Sequence, residues 1–524
     1  AESYVFLRRI EHRLQYVDDA QTHQLPVKPE ERERVAAMAG FATWDAFHAR
    51  LTEVRALVTR HFESVFAEGE REGEAWPVHP RAELLRKSQR YATLSEDSRR
   101  NVDRLVPAFA RAARSTPDLD ATLTRAMDFV EAIAGRAAYL ALLVEHPDAL
   151  ERVTKMIGAS SWAAEFVTRH PLLLDELLDD RLLYAPPEMA TYESNLLRAL
   201  AHAGDDLERQ MNLLREHHQA QVFRLLAQDL AGLLTVEKLA DYLSELADRT
   251  LGVAIGMAWR QVRTRHRETP RFAVIAYGKL GGKELGYASD LDIIFLYEDE
   301  DERAQENYLR LAQRLNNLLS LRTSSGTLFE TDLQLRPSGQ KGLMVSSLEG
   351  FEHYQEQSAW VWEHQALTRA RFCAGDTAIG VGFEALRVKI LTRPRDPAQL
   401  AKEVLEMREK MHAAHPNKSG LFDVKHDRGG MIDVEFIVQF LVLAHASKHP
   451  ALTGNLGNIA LLKISADLGL IPADLAERCR VAYREFRRMQ HALRLNGAPY
   501  ARVAPQQAEA HSESVRDLWR RVLQ

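Results

Sequence analysis

The sequence predicts a mostly α-helical protein with one small α/β domain embedded in it and helical bundles before and after. Three observations carry this expectation. Stretches such as Val102–Val144 and Leu207–Leu251 repeat apolar residues at three- and four-residue intervals with few Gly or Pro, the period of a helix with one buried face. Between Arg271 and about Ser347 the pattern changes to short runs rich in β-formers, Phe272–Tyr277 and Leu291–Tyr297. From Leu348 onward the helical period returns.

The order of elements follows from the breaks. Glu68–Pro80 holds Gly69, Gly73, Pro77 and Pro80 and reads as a linker. Thr264–Pro270 is polar and ends in proline just before the strand-like region. Within that region, a helix is expected over Glu306–Ser320. Thr327–Leu335 alternates and reads as a third strand, with Leu328, Glu330, Asp332 and Gln334 on one face. The expected spans are 1–67, a helical tail; 68–97, a linker; 98–265, a helical region; 266–347, the α/β domain; and 348–524, a closing helical bundle.

Composition narrows the class. The 524 residues are too many for one core and suggest several units. Net charge is −6, with 68 basic and 74 acidic side chains, which gives no electrostatic reason to expect a nucleic acid or an anionic membrane as partner. Two cysteines, Cys373 and Cys479, cannot build a disulfide framework and match no metal motif, as expected in the reducing cytoplasm. No apolar run approaches the length needed to span a bilayer. The start, Ala1–Tyr4, reads as an internal cut, because a helix is already under way there.

One internal repeat stands out. Tyr4–Leu14 aligns without gaps on Tyr483–Leu493, sharing the flanking tyrosine and an Arg-Arg-apolar-polar-His core, and the same offset places Pro26 on Pro505. The chain therefore reads as the tail of one module followed by a full second copy. A weaker pair, His146-Pro147 and His170-Pro171, reads as two helix starts.

The chemistry concentrates in Ala276–Asp292. A strand ends at Tyr277, a glycine-containing turn follows, and a short helical segment is expected to begin near Gly282. Glycines let backbone N–H groups approach a phosphate, and a helix start favours an anion. Gly281, Gly282 and Ser289 are the expected triphosphate contacts. Asp290 and Asp292 then lie two apart on a strand and face one side together. Carboxylates on one rigid face are hard oxygen ligands for Mg2+. Asp332, on the later strand, is the third candidate, and three aspartates can hold two ions, one near the attacking oxygen and one on a triphosphate. Lys279, Lys283, Arg336 and Lys341 supply nearby positive charge.

This arrangement resembles the nucleotidyltransferase fold, the polymerase-β-like fold of template-independent polymerases and antibiotic nucleotidyltransferases. The motifs narrow the resemblance. Gly278–Leu285, Ser289–Tyr297, Asp332–Gly339, Ala359–Arg371 and Asp423–Phe436 are similar to those of glutamine synthetase adenylyltransferases, over nearly the whole chain. Gln334 departs from that family, which usually has arginine there. The resemblance implies an enzyme that moves AMP from ATP to a tyrosine of glutamine synthetase, with glutamine and a PII-type nitrogen signal protein as regulators. Family proteins resemble two fused modules, the first removing AMP by phosphorolysis and the second attaching it. With the repeat, this implies that residues 1–67 end an adenylyl-removing module and that the intact copy is the adenylylating one.

Two other readings stand beside it. The same fold could run phosphorolytic deadenylylation, or Ser98–Trp259 could serve as a non-catalytic scaffold that reads a signal protein. A nucleic-acid polymerase of this fold is disfavoured by the acidic balance.

Secondary sites have paired readings. Arg428 is a candidate phosphate contact and Glu435 an orienting or metal-shell group; the alternative is a buried ion pair that fixes the bundle. Trp360 and Trp362 are expected in the core rather than as a nucleobase platform. His364 is disfavoured as a metal ligand. Arg369 and Arg371 are expected on the tryptophan helix, pointing apart, with at most one reaching the phosphates.

Overall fold

A computed structural model describes residues 6–11, 14, 25–26, 28–65, 75–454 and 457–524. The expected cut at Ala1–Tyr4 and residues 68–74 of the expected linker lie outside the described residues, as do positions 4, 5, 12 and 13 of the first repeat copy.

The chain divides into two compact units, Ala1–Ala185 and Pro186–Gln524. The division falls inside the 98–265 span. In the first unit, the helices Glu96–Ala113, Leu119–Ile133, Ala137–Glu145 and Pro147–Ala159 pack into a bundle. Its centre is filled by Val102, Phe109, Phe129, Leu140 and Ile157. Residues 80–97 are not an open linker. His79 accepts the Arg81 N–H and caps a helix over Pro80–Lys87, with Pro80 in the first turn, where its missing N–H costs nothing. Pro147 and Pro171 each open a helical segment, so the two His-Pro pairs mark helix starts.

The second unit holds the sheet. Strand β1 is Phe272–Ala276, β2 Leu291–Tyr297, β3 Thr331–Asp332, β4 Val345–Ser347 and β5 Arg371–Gly375. The order is β3-β2-β1-β5, with β4 also on β2. β1 runs antiparallel to β2 and β5, and β2 runs parallel to β3 and β4. All five residues of β1 are buried, as a strand covered on both faces must be. The helix Ala304–Ser320 lies where a helix was expected.

Three expectations need correction. Only Thr331–Asp332 of the alternating stretch pairs as strand. Leu328 and Phe329 are both buried despite opposite parity, and Asp332 Oδ1 accepts the Gln334 N–H at 2.7 Å, closing a local turn. β5 lies outside the 266–347 span expected to hold the sheet, so the helical segment after it supplies the strand beside β1. The helical turn after β1 is Gly278–Gly281 and ends at Gly282 rather than beginning there.

After β5 the chain is helical again apart from a two-stranded pairing, β6 Phe422–Asp423 with β7 Arg502–Val503. The helix Met431–His445 is buried almost all round, as its uninterrupted apolar sequence requires. It packs against Pro397–Ala414 and Pro505–Leu523, in one core cluster with residues of β1 and β2.

Candidate active site

The site grows from the end of β1. Tyr277 N–H donates to the Asp292 carbonyl at 2.8 Å, holding the two strand ends together. The backbone then turns at Gly278, whose φ is +54°. An L side chain is disfavoured there, and a Cβ would lie 2.0 Å from Asp292 Oδ2. Gly278 is therefore what allows the Asp292 carboxylate its place. We expect Gly278→Ala to weaken Mg2+ binding at least about tenfold, since its Cβ must displace the Asp292 carboxylate, and to lower fold stability by roughly 1–2 kcal/mol through the left-handed conformation. Calorimetric titration with Mg2+ checks this.

Asp290 immediately precedes β2, and Asp292 is its second residue. Asp332 stands in register beside Asp292 on the parallel β3. Leu291 N–H donates to Glu330 O at 2.9 Å, fixing that register. The strands thus gather three carboxylates whose nearest oxygens lie within 4.8 Å of one another. Burial and then the Asp290 and Asp332 charges push the Asp292 carboxyl up to about 6. A divalent cation relieves that repulsion, and three carboxylates are the hard oxygen donors such an ion takes, so the residues fit Mg2+.

The sign of the pH dependence follows. Asp292 holds its proton up to about 6 in the fold and to 3.8 as a free side chain. The metal-free fold gains stability from this group in acid and loses it as pH rises from about 4 to about 6. Cation binding needs the ionised form and shows the opposite trend. We expect Mg2+ to raise Tm clearly at pH 8 and little at pH 5, measured by differential scanning calorimetry.

Positive charge adjoins the aspartates. Lys279 donates to Ser289 Oγ at 3.4 Å, and Ser289 Oγ also accepts the Gly286 N–H at 3.0 Å. Burial and then Lys425 lower the Lys279 pKa, against the pull of Asp290. Arg494 lowers it further. No carboxylate forms an ion pair with Lys279 or Lys425 among the described residues. Lys425 lies in the Asp423–Phe436 motif but was not singled out in the sequence; Arg494 sits three residues beyond the repeat's His491, which could have drawn attention to it.

Behind the turn lies a buried ionic cluster. Arg369 bonds Glu284 through Nη2 and pairs with Glu435 Oε1 at 3.0 Å. Tyr483 OH reaches Glu284 at 2.9 Å and Glu435 at 3.2 Å, and Asn458 Nδ2 donates to Tyr483 OH at 2.8 Å. Burial opposes the Arg369 charge, but Glu284 and Glu435 outweigh it and hold the guanidinium protonated.

Comparison with known proteins places this geometry. Over 545 residues and 99% of its length, the chain is 53% identical to a "Bifunctional glutamine synthetase adenylyltransferase/adenylyl-removing enzyme" of Aromatoleum aromaticum. Proteins of that name from Chromobacterium violaceum and Nitrosomonas europaea are 50% and 45% identical, over 100% and 99% of the chain. The sequence profile of the family described as Glutamate-ammonia ligase adenylyltransferase matches residues 150–386, which include β1 to β5. The chain belongs to the glutamine synthetase adenylyltransferase family. It covers 58%, 61% and 61% of those three relatives. A second profile, described as GlnD PII-uridylyltransferase, matches both 1–66 and 399–499 of this adenylyltransferase relative, and the two repeat copies fall inside the two stretches.

Several candidate residues of this adenylyltransferase relative sit differently from the sequence expectation. The N–H groups of Gly281 and Gly282 bond Tyr277 O and Gly278 O within the turn, so they are not open to a phosphate. A Cβ on Gly281 would lie 1.9 Å from the Arg369 carbonyl, and one on Gly282 2.7 Å from the Arg369 guanidinium. These glycines make room for Arg369. Arg336 spends its guanidinium on the carbonyls of Leu333, Gln340 and Gly342, bracing its own loop. Arg428 is exposed and paired with Glu409 at 2.6 Å, a surface contact. Glu435 is in a buried ion pair, but with Arg369 and not Arg428.

Arg369 and Arg371 follow the helix Val361–Leu367 rather than lying on it, and Arg371 grips Asp248 with bonds of 2.7 and 2.9 Å. Trp360 and Trp362 are 69% and 37% exposed, not core, because their helix turns Glu363, His364 and Gln365 inward instead. His364 Nε2 lies 3.0 Å from the Gln355 carbonyl, a packing contact. Lys283 is exposed with φ +53°, and Lys341 is exposed in a short 3-10 turn.

Proposed function

We propose that this chain transfers AMP from ATP to a tyrosine hydroxyl of glutamine synthetase, releasing pyrophosphate, in an embedded nucleotidyltransferase domain of the polymerase-β-like kind. The observation that carries the proposal is the trio Asp290, Asp292 and Asp332, gathered by β2 and β3 into one acidic cluster. The names of the relatives, which pair adenylyltransferase with adenylyl-removing activity, support the substrate.

In this mechanism Asp290, Asp292 and Asp332 would hold two Mg2+ ions, which would supply charge neutralisation at the triphosphate and would make the attacking hydroxyl more acidic. Lys279, positioned by Ser289, offers positive charge to the phosphates. The tyrosine oxygen attacks the α-phosphorus, the bond to the bridging oxygen breaks, and pyrophosphate leaves with that electron pair. In this reading Asp332 also accepts the tyrosine proton. The residues from 98 to 265 form a regulatory region, and 348–524 completes the site; glutamine and a PII-type signal protein act as effectors of a cytoplasmic enzyme. No helix among the described residues is long and apolar enough to cross a membrane.

The direction rests on order. The five-stranded sheet lies between two stretches that match the same profile and shares a core cluster with helices of the second, which supports reading it as part of that second module. Deadenylylation remains the alternative because the relatives carry both names. Transfer of label from α-32P-ATP to purified glutamine synthetase, with Mg2+ and glutamine, tests the proposal. Label on the synthetase is expected. ADP release from adenylylated synthetase and phosphate, with no labelling in the forward assay, would reverse it.

A further inference from the structure

One helix, Leu207–Leu230, touches both loops that carry the aspartates. Two turns into it, Arg215 is completely buried and forms no ion pair among the described residues. Its guanidinium donates to Gly326 O at 2.8 Å, Leu318 O at 2.8 Å, Leu321 O at 2.7 Å and Met211 O at 2.9 Å. Three of those carbonyls belong to the end of the helix Ala304–Ser320 and the loop after it. One turn on, Gln219 Nε2 donates to Ser325 O at 2.6 Å, and Ser325 Oγ donates to Glu216 at 2.7 Å. His218 packs edge-on against Phe329, ring centres 4.8 Å apart. Phe329 is three residues before Asp332.

At the far end of the same helix, Asp229 Oδ2 accepts Tyr287 OH at 3.1 Å and lies 2.8 Å from His491 Nε2. Tyr287 is three residues before Asp290. The hold on Asp332 and the hold on Asp290 are thus made by one rigid element.

A buried guanidinium costs much to place, and burial lowers its pKa to about 10. It is returned only by the carbonyls it collects, which fixes the 318–326 backbone against the helix. A loop anchored this way cannot shift without uncovering those bonds. The other ties of these segments run along the sheet or to neighbouring elements. Asp332 is held by the short β3, by Thr331 Oγ1, which donates to Asn316 Oδ1 at 2.7 Å, and by Phe329 N–H, which donates to Leu319 O at 3.0 Å. The segment before Asp290 is held by Ser289 Oγ, which accepts the Gly286 N–H, and by Glu284 in the Arg369 cluster.

The geometry points to Arg215 and Asp229 as positioning residues of the adenylyl-transfer site, through which the helix Leu207–Leu230 sets the separation of Asp332 from Asp290. The inference rests on the metal role proposed above for those aspartates. It makes this helix the element through which a contact made elsewhere on residues 207–230 alters catalysis without touching substrate.

Hydrogen exchange of the full chain, with neither metal nor nucleotide, tests the coupling. Arg215→Met is expected to speed exchange in 318–332, which it touches, and also in 284–291, which it does not. Arg215→Lys should do the same more weakly and serves if the methionine variant fails to fold. Arg395→Met is the control. That arginine also bonds carbonyls, those of Leu391, Arg393 and Ile390 at the end of the helix Thr377–Leu391, with a longer contact to His364 Nδ1 at 3.4 Å, and neither segment should change. Faster exchange confined to 318–332 would overturn the coupling.

Binding of Mn2+, followed by electron paramagnetic resonance, reads the consequence. Arg215→Met and Asp229→Asn are each expected to weaken it at least about tenfold, with Arg395→Met unchanged. Coupled exchange with wild-type Mn2+ affinity would overturn the positioning role. Equal Mn2+ binding by wild type and Asp292→Asn would instead refute the metal reading, while the exchange result still decides the coupling.

Discussion

Asp292→Asn is expected to lower the rate of label transfer from α-32P-ATP to glutamine synthetase by about three orders of magnitude or more. A cation at a reacting phosphate stabilises the transition state by several kcal/mol, and each 1.36 kcal/mol is a factor of ten. Asp292 is the half-buried carboxylate between the other two, two residues from Asp290 and in register with Asp332. The substitution keeps shape and removes charge. The charge removed is the one whose burial, and then whose repulsion by Asp290 and Asp332, push the carboxyl up to about 6, so the metal-free fold should be no less stable than wild type above that pH. Full stability with lost transfer separates a metal ligand from a packing residue. Transfer near the wild-type rate would remove Asp292 from the mechanism.

Arg369→Ala is expected to cost about 3–5 kcal/mol of stability, the range for breaking a buried ion pair and leaving its partner charged. Glu284 would keep only the longer contact to Arg487 at 3.9 Å, and Glu435 would lose the Arg369 guanidinium, both of them against the Tyr483 hydroxyl. Arg369→Lys should recover only part of this, since an ammonium lacks the planar fork that spans two acids. Urea unfolding read by circular dichroism measures both. A loss under about 1 kcal/mol for the alanine variant would mean the cluster is far better solvated than its burial implies.

The sequence made the strand pair and the first two aspartates legible for local reasons. Phe272–Tyr277 and Leu291–Tyr297 are dense in β-formers and bounded by Gly278 and by the charged run from Glu298, so neither competes with a helix. Asp290 and Asp292 share a face by strand periodicity alone. Asp332 was reached by the wrong route, since the alternation around it is broken by a turn at Gln334, yet its position beside Asp292 is as expected.

What was hidden is long-range. Gly281 and Gly282 look like a phosphate loop until Arg369, distant in sequence, is seen against them. Arg336 reads as a free cation only until its loop folds back onto it. Arg215 shows no motif at all; its importance comes from carbonyls more than a hundred residues away. Trp360 misled because hydrophobicity predicts burial on average, while its helix was already anchored by Glu363 bonding the Trp360 N–H and the Tyr354 hydroxyl.

β5 has a bearing on how the protein is made. While the ribosome has delivered the chain only as far as Ser347, β1 has β2 on one side and an empty hydrogen-bonding edge on the other. An apolar strand left open in that way is a template for pairing with a neighbouring nascent chain. The edge closes only when Arg371–Gly375 emerges, after two further helices. Synthesis paused in that interval, or a gene truncated there, should therefore yield aggregate rather than a smaller working catalyst.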